Sequence, residues 1–279
     1  MNSEIDIFRN CKLCGQDAAQ PFYKLDETVI YRCRQCDFHF LNRLDHIPSA
    51  GDDAAQLTRN ARDYLETRLD GSVQLHSARM KLVKKYTELS GVKALDIGAG
   101  LGEFQLLLAD CGALTEGIEP SGLRRSYARE KFGTNLHREL VDDPFWQSGY
   151  REHFDLVTLW DVIEHVDFPR QTLEHSVNLL KPGGLLCLDT PDRERLPYRF
   201  SERIYRLSGG RISLFLANYY SAARFGHKQI FTRHQLLELF ADSGLDVLFA
   251  AGSYSSARQR DKRLVLVARK IAVPPQANN

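Results

Sequence analysis

Short apolar runs alternate with segments of helical period over most of the chain from residue 92 onward. The run Val92 to Leu95 reaches Asp96 and a glycine turn (Gly98, Gly100, Gly102), after which FQLLLADCG repeats its apolar positions as a helix does. ALTEGIEPSG gives a second strand ending at Glu119, with Pro120 and Ser121 starting a helix over LRRSYAREKFG. A third strand is expected around Asn135 to Leu140, in the most polar part of the pattern. The fourth is the clearest. Phe154 to Leu159 is apolar enough for a parallel strand buried on both faces, and it ends at Trp160 and Asp161. DFPRQTLEHSVNLLKPGGLLCLDTPD then predicts a helix, a PGG turn and a fifth strand to Thr190 and Pro191. Thr232 is placed as an N-cap and Gly244 as a helix stop, before two final strands expected to pair antiparallel. Alternation of this kind predicts an α/β domain whose ligands sit at the carboxyl edge of a parallel sheet.

The chain before residue 91 reads differently. CKLCG and YRCRQC place Cys11-x-x-Cys14 and Cys33-x-x-Cys36 eighteen residues apart, with strand material between them. That is a zinc-ribbon spacing: each CxxC turn sets two thiolates on one tetrahedral ion. Four thiolates leave no open position, so the expected zinc is structural, and it would supply much of the folding free energy of a module of about forty residues. LNRLDHIPSAGDDAAQLTRN, with Pro48 and Gly51, reads as a linker. ARDYLETRLDGSVQLHSARMKLVKKYTEL reads as helix with a break at Gly71, and Tyr64 is a possible lid residue.

The chemistry lies in the glycine turn. Its exposed N–H groups at a helix start favour an anionic ligand, and glycine lets the backbone approach that ligand. A dinucleotide fingerprint needs a third glycine where Glu103 stands, which disfavours a dehydrogenase. The pattern D-x-G-x-G-x-G at 96–102 resembles the first motif of class I S-adenosylmethionine (SAM) methyltransferases. FDLVTLWDVIEHV followed by LLKPGGLLCLDTPD resembles the small-molecule branch of that family, which includes quinone-biosynthesis and sugar methyltransferases. A double-CxxC module directly before such a domain is similar to the N-terminal part of sugar C-methyltransferases, although this chain stops soon after the final strands. The resemblance implies a Rossmann-like, seven-stranded class I methyltransferase domain preceded by a small zinc ribbon. The boundaries are 1–44 for the ribbon, 45–90 for a linker and helical lid, 91–271 for the methyltransferase domain, and 272–279 for a disordered tail. It places SAM against Asp96, Gly98, Ala99, Gly100, Gly102, Glu119, Pro120, Trp160 and Asp161. Glu119 is also spaced as an acid that accepts hydrogen bonds from ribose hydroxyls. Asp142 and Asp143 both follow the third strand, and the acid that would bind the adenine amino group stays open between them.

Composition narrows the partners. A formal charge of +1 over 279 residues exerts no global pull on nucleic acid. MNSEIDIFRN has neither basic flank nor apolar core, and no run approaches the roughly 18–20 apolar residues of a membrane span. A cytoplasmic protein with reduced cysteines is expected. Residues 193–228 form an insertion rich in Arg, Tyr and Phe. It reads as an acceptor lid, as a patch touching a membrane surface, or as an RNA contact.

The implied activity is methyl transfer to a small, sugar-like, phosphorylated or lipid-linked acceptor. The alternatives are an RNA methyltransferase gripping RNA with its ribbon, an arrangement known among ribosomal-RNA guanine methyltransferases, or a SAM-binding scaffold without turnover. LWDV stands where base methylation would call for an NPPY-type tetrapeptide, so nucleic acid is the weaker partner. A hydroxyl or carbon acceptor must also lose a proton. His165 and His227 are the candidates to take it; Asp161 and Glu164 could bind acceptor hydroxyls.

Overall fold

The computed structural model describes residues 7–25, 28–45, 57–254 and 263–272. The proposed linker residues 46–56 and nearly all of the expected tail lie outside them. Two sheets organise the chain. The larger has six strands: β4 (Lys93–Ile97), β5 (Leu114–Ile118), β6 (Phe154–Trp160), β7 (Leu180–Pro191), β9 (Leu245–Ala251) and β10 (Arg263–Lys270), in the order β5-β4-β6-β7-β10-β9. Neighbours from β5 to β7 run parallel, and β10 runs antiparallel to both β7 and β9, as the final pair is expected to do. Leu156, Val157, Leu159, Leu186 and Leu188 are fully buried, so the central strands read as unbroken apolar runs because both faces are covered.

The expected third strand is a single bridge. The His137 N–H donates to the Gly117 carbonyl at 2.8 Å, and its carbonyl accepts from Glu119 N at 2.8 Å. Arg138 and Glu139 follow at once, and Asp143 then caps α4 (Pro144–Gly149). Two charged side chains at the edge of the sheet blunt it there, so the Rossmann-like sheet has six strands among the described residues rather than seven.

α1 (Arg59–Val83) is capped by the Thr58 side chain, which accepts from Ala61 N. It runs through Gly71 without the expected break. A helical glycine costs about 1 kcal/mol relative to alanine, and the rest of a 25-residue helix absorbs it. The other helices of the domain are α2 (Glu103–Asp110), α3 (Gly122–Phe132), α5 (Pro169–Leu179) and α7 (Arg233–Asp242). Thr232 and Gln235 form a reciprocal capping box at the start of α7, and Gly244 follows its end with φ +74°.

The smaller sheet joins the ribbon to the rest. Its strands β1 (Ala19–Leu25), β2 (Thr28–Cys33) and β3 (His39–Leu41) are antiparallel, and β3 pairs in turn with β8 (Gln229–Ile230), from the far end of the chain. Cys11, Leu13, Phe38 and Phe40 pack in one core with Phe231, Leu236 and Phe240. Both cysteine turns are held from outside. Arg170 Nε donates to the Leu13 carbonyl at 2.6 Å, and the capping-box Gln235 donates through Nε2 to the Cys36 carbonyl at 2.8 Å. The ribbon is therefore part of the domain's core and not a bead on a linker.

Most of the insertion also turns toward the ribbon. α6 (Leu196–Leu207) buries Tyr198 and Tyr205 against Tyr23, Leu25, Ile30 and Leu41. Tyr205 Oη donates to the Lys24 carbonyl at 2.8 Å, and Tyr23 Oη to Glu202 at 2.5 Å. Within residues 193–228, α6 roofs the ribbon, while Phe225 and His227 line the cavity described below.

One buried ion pair closes the seam. Lys228 is wholly buried and donates through Nζ to Asp45 Oδ2 at 2.6 Å. The same oxygen accepts from Phe225 N at 2.8 Å, and Asp45 N donates to both Asp167 oxygens at 3.0 and 2.9 Å. Asp45→Ala would strand the Lys228 ammonium, with an expected loss of about 3–5 kcal/mol in urea denaturation. Adding Lys228→Met should recover most of that loss. Equal losses in the single and double variants would refute the pairing.

Candidate functional site

A cavity of about 910 Å³ opens at the carboxyl ends of β4, β5 and β6, under α1. Its floor is the glycine turn. A Cβ on Gly98 (φ +71°) would lie 2.4 Å from a Val162 methyl, so only glycine lets the turn pass the β6 loop. Gly98, Ala99 and Gly100 line the cavity. Gly102, also φ positive, does not: it is the N-cap of α2.

Asp96 and Glu119 stand on either side of this turn, both buried. Asp96 accepts from Thr158 Oγ1 at 2.6 Å, and burial pushes its carboxyl up to about 6. Glu119 accepts from Ser121 N at 2.8 Å on one oxygen and from Gly100 N at 2.9 Å on the other. Burial raises its pKa, opposed by the Arg124 guanidinium 3.6 Å away. Each Glu119 oxygen keeps a second acceptor position. A carboxylate fixed in this way can bind a vicinal diol without rearranging. Pro120 lies beside it on the cavity wall. Of the two acids after the bridge, Asp142 lines the cavity, while Asp143 is committed to capping α4 through Phe145 N at 2.8 Å.

Trp160 and Asp161 line the opposite wall. The Arg79 guanidinium lies 5.2 Å from the Trp160 ring centroid, and Phe104 meets that ring edge-on. Asp161 takes a left-handed backbone (φ +57°), unusual for a residue with a side chain. Its N–H donates to Asp189 Oδ1 at 2.9 Å; its carboxylate accepts from Arg79 Nη2 at 2.7 Å and also pairs with Arg263. Asp189, at the end of β7, is fully buried and accepts from Arg79 Nε at 2.8 Å, from Arg263 at 3.2 Å and from the Tyr254 hydroxyl. Burial works against ionisation of Asp161, but Arg263 and Arg79 outweigh it and hold the carboxyl below its ordinary range. Arg79, Arg263 and Asp189 thus hold Asp161 in place on the cavity wall. Arg79, Asp189 and Arg263 escape the sequence reading. Only Asp189 has a local signal, as an acid at the carboxyl end of a parallel strand.

His165 and His227 lie 62 residues apart in the chain, yet their rings meet edge-on with centroids 4.6 Å apart. Their segments are laced together. Lys228 N donates to the Glu164 carbonyl at 2.8 Å, and buried Gln229 donates through Nε2 to the Ile163 and Val166 carbonyls at 2.8 and 2.7 Å. Burial and then the His227 charge push His165 down to about 4, and burial lowers His227 as well. Both rings are held neutral at neutral pH, and burial makes each a weaker base than an exposed imidazole. Glu164 completes a group whose donor atoms all lie within 4.8 Å. Its Oε2 accepts from Thr190 Oγ1 at 3.0 Å, while Oε1 has no hydrogen-bond partner among the described residues and lies 3.9 Å from His165 Nε2, and burial raises its pKa well above the usual range. Such a group could also hold a cation. His165, His227 and Phe225 line the same cavity as the glycine turn.

The four cysteines form a separate centre. Cys11 and Cys36 sulfurs lie 3.6 Å apart, and Cys14 and Cys33 sulfurs 3.7 Å. A tetrahedron of Zn–S bonds about 2.3 Å long puts its sulfurs roughly 3.8 Å apart, so the donor set fits that ion. Leu13 N and Gln35 N each donate to a sulfur at 3.4 Å.

The comparisons agree with this geometry. The chain spans little more than half the length of the first curated relatives it matches. The ubiquinone biosynthesis O-methyltransferase of Methylococcus capsulatus is 33% identical over 137 residues, 46% of this chain and 57% of that protein. Its counterpart from Azoarcus sp. is 25% identical over 207 residues, 71% of this chain and 86% of that one. Among solved structures, a Listeria monocytogenes protein assigned as an S-adenosylmethionine dependent methyltransferase superposes with a TM-score of 0.53 at 14% identity, over 71% of this chain and 98% of that one. A chain from the Haloferax volcanii complex of the Trm112 methyltransferase activator with a methyltransferase gives a TM-score of 0.54 at 18% identity, over 78% of this chain and all of that one. These two show the fold alone. The model of a methyltransferase domain family matches residues 55–249, more than half of the chain. Because that match runs from the helix above the cavity to the penultimate strand, this chain belongs to that family and carries a class I, SAM-dependent methyltransferase domain.

Proposed function

We propose that this protein methylates a hydroxyl oxygen of a small, sugar-like acceptor. The observation that carries the reading is the neutral His165–His227 pair in the cavity that also holds Asp96 and Glu119. A nitrogen acceptor with a free lone pair needs no base; a hydroxyl does. Asp167, Gln171, Thr172 and His175 line the same cavity, a polar wall suited to an acceptor with several hydroxyls. SAM supplies an already activated methyl group on its sulfonium. The chain's own part is to hold the acceptor oxygen in line with that methyl, exclude water and take the hydroxyl proton on His165. In this reading Glu119 accepts from the ribose diol, and Asp142, which lines the cavity, takes the adenine amino group.

The test is methyl-labelled SAM with the purified protein and an extract of its host, separated into small-molecule, lipid and RNA fractions. Label in a glycan-containing small-molecule or lipid fraction is expected; label in RNA would overturn the reading. His165→Gln should lower transfer about 10²- to 10⁴-fold with SAM affinity unchanged. A base with its pKa pushed down to about 4 is neutral above that value, so transfer at saturating SAM, where protonation of Asp96 near 6 does not limit the rate, should hold as pH falls past the ordinary histidine range and fail only near 4. An acid limb near 6.5 that persists at saturating SAM would refute His165 as the base. Glu119→Ala should weaken SAM binding roughly 10- to 100-fold by calorimetry, and unchanged affinity would remove its ribose role.

For the four cysteines we propose a structural zinc ion. Burial raises the Cys14 thiol to about 11, a cost that a bound dication would offset by holding thiolates. Cys33→Ser should release the metal in a chromophoric chelator assay and lower the melting temperature of the whole domain in one transition, since ribbon and sheet share a core. Full zinc retention would refute the site.

A further inference from the structure

The outer face of α6 is exposed, with no partner among the described residues. Tyr198, Ser201 and Tyr205 sit on one side of this helix, buried against the ribbon. At 100° per residue, Leu196, Phe200 and Leu207 fall on the opposite side. They are 81%, 58% and 80% exposed. Arg199, Arg203 and Arg206 run beside them as a second exposed stripe. After the turn at Gly209 and Gly210, Ile212, Leu214 and Phe215 are exposed as well. Six of the fourteen exposed large apolar side chains among the described residues thus fall within twenty positions. Singly exposed apolar residues are ordinary; a cluster on one face marks an interaction surface.

We propose that this face docks on an anionic lipid bilayer. From 195 to 215 the chain has five arginines and one acid, Glu202, against a net charge of +1 for the whole protein. Glu202 is turned inward to the Tyr23 hydroxyl. Arg199, Arg203 and Arg211 have no acidic partner among the described residues. An apolar stripe bordered by guanidinium groups matches the headgroup and acyl boundary of such a bilayer, and a 12-residue helix lies in that plane without crossing it. A second copy of the chain fits less well, because a two-fold contact sets the same patch against itself and brings the arginine stripes face to face. RNA would engage the arginines but would leave Leu196, Leu207 and Ile212 without a use, since aliphatic side chains do not stack on bases. The same excursion of the chain returns to the cavity through Phe225 and His227, so the surface belongs to the element that helps to wall the acceptor site. The inference does not depend on what the acceptor is.

The test is flotation of the full-length protein with phosphatidylcholine vesicles, with and without phosphatidylglycerol. Binding is expected only with phosphatidylglycerol, and it should weaken as salt rises. Each basic side chain near such a surface contributes about fivefold, so Arg199→Gln/Arg203→Gln should lower partitioning roughly 25-fold. Leu196→Ser/Phe200→Ser should lower it by at least as much. Both variants alter exposed positions, and unchanged circular dichroism and SAM affinity would confirm that they fold. Absence of binding to phosphatidylglycerol vesicles, or binding that neither variant reduces, would overturn the proposal. So would a dimer in sedimentation equilibrium that Phe200→Ser dissociates.

Discussion

Two carboxylates at neighbouring strand ends set the shape of this molecule. Asp161 follows the last residue of β6 and is half-buried on the cavity wall; Asp189, near the end of β7, is wholly buried and pairs across the sheet with Trp160, the residue before it. Two carboxylates brought this close repel each other unless cations lie between them. Arg79 and Arg263 provide these, and each arrives on a different element. Arg79 fixes α1 above the cavity, and Arg263 begins β10, the reversed strand that follows β7 in the sheet. A local electrostatic requirement thus fixes the roof and one wall of the cavity, and the Arg79 guanidinium packs over Trp160 as a further brace.

The second organising contact runs through backbone. β8 is only two residues long, yet it takes β3 as a partner on one side while its Gln229 side chain ties down the carbonyls flanking Glu164 and His165. His227 precedes this strand by two positions. The spacing between the two histidines therefore depends on a sheet that begins at residue 19, and Asp45 extends the same connection by neutralising Lys228.

The parts of this arrangement legible in the sequence are those with local causes. The glycine turn, the buried run of β6, the Thr232 cap and the double CxxC are short patterns with direct physical meaning, and they lead to the fold, the cofactor and the cysteine centre. Glu119 is legible because strand ends in a parallel sheet point acids at one crevice. The rest depends on pairings across long separations, which periodicity does not encode. Arg79 and Asp189 are 110 residues apart, and Asp45 and Lys228 are 183 apart. The missing third strand fails for a different reason: two backbone hydrogen bonds at His137 satisfy the edge, and Arg138 and Glu139 keep it from growing. Gly71 misleads because a glycine signals a break only where nothing else supports the helix.

The capping box of α7 shows how far the seam reaches. Gln235 reads in sequence as an ordinary helix-start residue, yet its amide group also grips the second cysteine turn. One side chain thereby sets the start of a helix in the methyltransferase half and the position of a knuckle in the ribbon half. A chimera that exchanged ribbons between relatives at a cut near residue 45 would separate Gln235, Arg170 and β8 from the partners they are shaped to meet. The unit that recombination could move intact is discontinuous: the first 45 residues together with α6, β8 and the start of α7.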